Sequence, residues 1–140
     1  MKQKSLIYHP HVVPLNIRKV RERVEMRASC MGELAVHSQV RFPVGSQVLL
    51  SLYMAESTPS LYGRVIWLFG SDEEYLMGLT FDGADEAYKM RMVEQLCHIQ
   101  AYRDGIARGE GRQLSDEEAA REWIRRYSAG FPEVAPIHFH

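Results

Sequence analysis

The sequence predicts a mainly β fold, an antiparallel sheet or small barrel, followed by two α-helices. Three observations carry this. Up to about residue 82 the chain consists of short apolar, β-type runs separated by turn residues rather than by helices. Past residue 83 the apolar residues recur at three- and four-residue spacing, the mark of an amphipathic helix. Further on, Ser115-Asp116-Glu117-Glu118 has the form of a capping box, which opens a second helix.

Element by element, Ser5–Tyr8 is a first short strand, broken by Pro10 and Pro14. Ile17–Met26 follows, where Ile17, Val20, Val24 and Met26 alternate imperfectly with Arg and Glu. The slip of parity between Ile17 and Val20 predicts a bulge. Glu33–Val36 is short and apolar. Phe42-Pro43-Val44-Gly45 is a turn, because proline fixes φ and glycine tolerates positive φ. Gln47–Tyr53, Leu61–Phe69 and Tyr75–Phe81 complete the β half, with a polar loop at Ala55–Ser60 and a turn at Gly70-Ser71-Asp72-Glu73. A helix then starts at Ala84 or Asp85. Its apolar stripe reads Tyr88, Met92, Leu96, Ile99 and Tyr102, and Gly105, Gly109 and Gly111 end it. The second helix carries Ala120, Trp123, Ile124 and Tyr127 on one face and stops at Gly130.

At 140 residues and 16.1 kDa the chain fits one domain able to bury its own core. Seventeen Lys+Arg against eighteen Asp+Glu leave a net charge of -1, without the basic excess of a phosphate-neutralising nucleic-acid binder. Two cysteines, Cys30 and Cys97, make no disulfide framework. No apolar run approaches the ~20 residues of a membrane span. The N-terminal residues lack the apolar core of a signal peptide, so a cytoplasmic location and no membrane insertion are expected.

Candidate chemistry is sparse. His9 and His11, like His138 and His140, are two apart, as two ligands on one strand face would be. Zinc wants four donors in a recognisable spacing, and neither Cys-x-x-Cys nor His-Glu-x-x-His occurs. These histidines are read as incidental, and a small metal-binding or enzymatic barrel using His9 and His11 is the remote alternative. Cys97 and His98 are adjacent on a helix and point about 100° apart, so Cys97 is read as a small buried hydrophobe. Asp72-Glu73-Glu74 is a turn and Asp116-Glu117-Glu118 a helix start, where acids favour the dipole. The chain is read as non-enzymatic.

Three segments, in order, carry a family resemblance. Arg27-Ala28-Ser29-Cys30-Met31-Gly32 is similar to an Asp/Asn-x-Ser-x-x-Gly segment with Arg27 in place of the acid. Gly63-Arg64-Val65-Ile66-Trp67 is similar to a Gly-x-Val-x-Trp strand. Tyr75-Leu76-Met77-Gly78-Leu79-Thr80-Phe81 is similar to a terminal strand ending in Gly, an apolar residue, any residue and Phe. With the Pro43–Gly45 turn and a closing helix, residues 17–104 resemble a PilZ domain. The resemblance implies a six-stranded antiparallel barrel with a helix at its end, and a receptor role for the bacterial messenger cyclic di-GMP. It divides the chain into a lead segment (1–16), the barrel with its closing helix (17–104) and an additional helix (112–132).

In that family an Arg-x-x-x-Arg lead segment grips phosphate and guanine. Met1–Asn16 contains Lys2 and Lys4 but no arginine. At ~1.5–3 kcal/mol per charged hydrogen bond, two missing arginine contacts cost ~3–6 kcal/mol, roughly two to four decades of affinity. The expectation is therefore a regulatory protein with a degenerate ligand site and no cofactor, acting through protein contacts. A signalling, motility or pilus protein is the partner class, Trp123, Ile124 and Tyr127 are the contact stripe, and a homodimer is compatible with it. The alternative is a true receptor that holds cyclic di-GMP through Arg21, Arg23, Arg27, Ser29 and Gly32, since the three arginines share one strand parity. The plainer reading of that row is a solvated strand face offset by Glu22 and Glu25.

Overall fold

A computed structural model of the protein describes residues 6–21, 32–52 and 60–131. Six strands precede two helices: β1 (Leu6–Tyr8), β2 (Leu15–Lys19), β3 (Glu33–Ser38), β4 (Gln47–Leu52), β5 (Leu61–Ser71), β6 (Glu74–Phe81), α1 (Gly83–Glu110) and α2 (Asp116–Tyr127). A single 3-10 turn, Ser128–Gly130, follows. The sheet order is β1-β3-β6-β5-β4-β2. Within it β1 runs parallel to β3 and every other neighbouring pair is antiparallel.

The expected all-antiparallel closed barrel is thus corrected to a mixed, open sheet. The cause lies at Pro10 and Pro14. Neither can donate to a ladder, and Val13 N–H closes a turn onto the Pro10 carbonyl at 3.0 Å. The chain leaves β1 through this turn and enters β2 at the opposite edge of the sheet. In a flat sheet those edges would stand ~24 Å apart. The steps from Tyr8 to Leu15 reach at most ~25 Å when fully extended, and part of that length is spent on the turn. The sheet therefore curls strongly, and among the described residues its edges are joined by covalent chain rather than by ladder hydrogen bonds.

β5 and β6 form the central hairpin. Asp72 and Glu73 take positive φ, 55° and 64°, the two-residue geometry whose twist matches the flanking strands. The register slips between Val65 and Trp67, so that Val65 faces Leu79 and Trp67 faces Gly78. The slip expected near Ile17 is absent from the described part of that run: β2 pairs continuously with β4 from Leu15 to Lys19, and residues 22–26 lie outside the described residues.

The core lies between the concave sheet and α1. Ile7, Leu34, Val36, Val48, Leu50, Val65, Met77, Leu79 and Phe81 meet Ala87, Met90, Val93 and Cys97. The buried face of α1 differs from the stripe of large apolar residues in the sequence. Tyr88, Met92 and Leu96 are 45%, 44% and 52% exposed, whereas Ile99 and Tyr102 do pack against the core. The helix instead turns Ala87, Met90, Val93 and Cys97 inward, and Glu94 is buried with them. It also runs through Gly105 and Gly109 and ends only at Gly111, which takes φ 71° and donates to the Ala107 carbonyl. Two helical glycines cost about 1 kcal/mol each. The Ile106–Leu114–Ala119 cluster that α2 forms with this last stretch offsets that cost.

The capping box of α2 is present. Glu118 N–H donates to Ser115 Oγ at 3.1 Å and Ser115 N–H to Glu118 Oε1 at 2.9 Å. The inward face of α2 is Ala119 and Trp123, one helical turn apart, while Ile124 and Tyr127 stand outward. Polar contacts fix this rotation. Tyr102 OH and the Arg112 guanidinium both donate to Glu122, and Arg103 donates to the Leu114 carbonyl and contacts Asp116.

Candidate functional site

The described residues bury one cluster of titratable groups. It forms where the segment after β1 crosses the middle of α1. His9 (8% exposed) points its ring at Glu94 (2% exposed). His9 Nδ1 lies 2.7 Å from Glu94 Oε2, and His9 Nε2 lies 2.9 Å from the Val13 carbonyl. One turn further along α1, His98 Nε2 donates to the Tyr8 carbonyl at 2.9 Å and stands 3.8 Å from Glu94 Oε1. Cys97, wholly buried, adds its sulfur from the same helix face.

Protonation follows from the partners. A carbonyl can only accept, so His9 Nε2 carries a proton. Burial is the largest influence on His9 and works against a second proton. The hydrogen bond to Glu94, the Glu94 charge and the Val13 carbonyl together outweigh it, and the His9 pKa is raised. This favours the imidazolium form of His9 beside Glu94. For His98 burial prevails over the Glu94 charge and the Tyr8 carbonyl, and the pKa is lowered. Burial, then the Glu94 charge, push the Cys97 thiol up, so the sulfur is protonated beside this pair. The second carboxylate oxygen, Glu94 Oε1, is buried without a hydrogen-bond partner among the described residues.

His9 and His11 do not share a strand face. They lie at the turn after β1, where His9 goes inward and His11 stays exposed, its ring edge-on to His37 at 5.1 Å. Both line a cavity of about 670 Å³ framed also by His37, Phe42 and Tyr75. A second concavity of about 650 Å³ lies between β1, α1 and α2, walled by Tyr8, His98, Tyr102, Trp123, Tyr127 and Phe131. Trp123 is buried against Phe131, ring centroids 5.4 Å apart, and is no surface contact; Ile124 and Tyr127 remain 54% and 47% exposed.

Of the residues read as cyclic di-GMP contacts, Arg21 is exposed just beyond β2, at one edge of the sheet. Gly32 is buried just before β3, one strand in from the other edge. Arg23, Arg27 and Ser29 lie outside the described residues. The sequence reading missed Glu94. Its signal was the helical row Ala87, Met90, Glu94, Cys97, in which a lone acid occupies a buried position among small and apolar residues.

A second device joins the two strand motifs. Trp67 on β5 lies across Gly78 on β6, its register partner. A Cβ added at Gly78 would stand 2.0 Å from Trp67 Cε2, so only glycine admits the indole. Trp67 Nε1 then donates to Glu33 Oε1 at 3.1 Å, which carries the contact on to β3. Gly63, two residues before the register slip that begins at Val65, is also tight, 3.3 Å from the Thr80 carbonyl to an added Cβ. Comparison with protein-family models, with curated proteins and with solved structures found no match.

Proposed function

We propose that the chain is a PilZ-like, non-enzymatic regulatory protein of bacterial cyclic di-GMP signalling, with a degenerate ligand site, that acts through protein contacts. The observation that carries this reading is the Trp67–Gly78 contact. It makes one physical unit of the two strand motifs on which the resemblance rests, because the glycine of one strand exists to seat the tryptophan of the other. The element order supports it as well, a glycine-turned strand, a hairpin and then a long helix against the sheet. The curled but open sheet departs from the implied barrel, so the reading stands on these residues and not on closure. For the contact surface, the outward pair Ile124 and Tyr127 replaces the stripe that included Trp123.

Titration calorimetry with cyclic di-GMP tests the ligand clause. No binding is expected in the micromolar range. Micromolar binding that disappears in Arg23→Ala/Arg27→Ala would replace this reading with that of a true receptor. For the contact clause, partners captured by the wild type should be lost with Ile124→Asp/Tyr127→Asp while circular dichroism stays unchanged. Retention of the same partners would remove α2 from the surface.

A further inference from the structure

We propose that His9, Glu94 and Cys97 form a buried site for a borderline-soft divalent cation, Zn²⁺ by the chemistry of its donors. The inference is independent of the signalling reading, since it uses none of the residues from Arg21 to Gly32. One imidazole nitrogen, one carboxylate oxygen and one sulfur lie within 4.8 Å of one another, all buried. Imidazole, carboxylate and thiolate are zinc's protein ligands, and a water completes the tetrahedron where the protein supplies three. Glu94 and Cys97 are three apart on α1 and so share a helix face, while His9 arrives from the remote segment after β1.

Three further observations point to an ion. The outer nitrogen of His9 donates to the Val13 carbonyl, which fixes the ring and leaves Nδ1 facing Glu94 and Cys97. Metal-ligating histidines are held in this way by a backbone carbonyl behind the ring. Glu94 Oε1 is buried with no hydrogen-bond partner among the described residues, which is costly for a carboxylate unless something else meets it. The charges also close. A dication, a carboxylate, a thiolate and a neutral imidazole sum to zero, which suits a buried site better than a charged cluster would. Binding would displace the protons carried by the ligand atoms, the thiol proton of Cys97 Sγ among them. It would also widen the 2.7 Å His9–Glu94 contact toward the ~3.3 Å edge of a tetrahedron with bonds near 2.0 Å. His9 lines the larger cavity, which supplies the route of entry.

The test uses full-length, tag-free protein, stripped with chelator and kept reduced without thiols, and titrated with Zn²⁺ or Co²⁺ alone. One equivalent of Zn²⁺ should bind, with proton release read from the buffer dependence of the calorimetric heat. Co²⁺ should give tetrahedral ligand-field bands and a thiolate-to-cobalt charge-transfer band. Cys97→Ser should abolish that band and weaken Zn²⁺ ~100-fold or more. Cys30→Ser, at the only other cysteine, and His11→Gln/His37→Gln should leave both signals in place. Absence of stoichiometric binding, a cobalt spectrum without a sulfur band, or a sulfur band lost with Cys30→Ser would each overturn the site. Because the wild type and Cys30→Ser alone decide between the two sulfurs, misfolding of Cys97→Ser would not rescue the proposal.

Discussion

Glu94 Oε2 on α1 lies 2.7 Å from His9 Nδ1, across 85 residues of chain. Four residues on, His98 takes the carbonyl of Tyr8. Two side chains one helical turn apart thus grip two consecutive residues at the end of β1. The strand has three residues and, among the described residues, a single ladder neighbour, β3. A strand so short has little hold of its own on the sheet, and the clamp from α1 keeps Ile7 in the core.

This clamp makes stability depend on pH in two opposed windows. His9 binds its proton more tightly folded than unfolded. Its contribution is complete below the unfolded pKa of ~6.5 and is lost as pH rises through the raised folded value. His98 is shifted down, so its contribution is present above ~6.5 and is lost as pH falls through the lowered value. Chelator-treated protein should therefore melt at its highest temperature near pH 6.5. His9→Gln should flatten the decline on the alkaline side and leave the acid side in place. A melting temperature that rises steadily from pH 6 to 9 would contradict the assignment.

Removing one partner of a buried pair leaves the other charge uncompensated, at about 3–5 kcal/mol. Glu94→Ala should cost that much in urea unfolding. Glu94→Gln should cost less, because its amide can donate to the lone pair of a neutral His9 ring. It should also remove the part of the alkaline pH dependence that comes from His9. Equal losses for the two variants would mean that Glu94 acts by packing alone.

The strands, both helix positions and the capping box were legible because each is written in local chemistry: alternation, turn residues, and Ser115 three before Glu118. The inward face of α1 was not. Large apolar residues at helical spacing pointed to Tyr88, Met92 and Leu96, yet a second row at the same spacing, Ala87, Met90, Val93 and Cys97, is the one buried, and the charged Glu94 within it hid that row from a count of large apolar residues. The His9–Glu94 pair was invisible for a different reason. Nothing local links a loop residue to a helix residue 85 positions away, and only the curl of the sheet brings them together. The edge positions of β1 and β2 escaped likewise, since Pro10 and Pro14 announce a break in the chain but not where it resumes.

Gly78→Ala should cost about 1–3 kcal/mol, the range for forcing extra volume into a packed site. The added Cβ would fall 2.0 Å from the Trp67 ring. Most of that cost should vanish in a Trp67→Ala background, where the ring is gone. A double-mutant cycle by chemical denaturation measures the coupling. Additive losses would show that the glycine serves the backbone of β6 rather than the indole.

The β5–β6 turn offers a change of opposite sign. Asp72 and Glu73 both sit at positive φ, where side chains bearing a Cβ are strained. Both lie exposed in a two-residue loop, the arrangement for which Asn-Gly is the preferred pair. Asp72→Asn/Glu73→Gly should stabilise the protein by about 0.5–1 kcal/mol, a rise in melting temperature of ~2–4 °C for a chain of this size. The gain should be the same at low and high salt, because it comes from the backbone and not from the removed charges. If it disappears at high salt, repulsion among Asp72, Glu73 and Glu74 was the cause, and the strain assigned to the two positive φ angles is not what limits this hairpin.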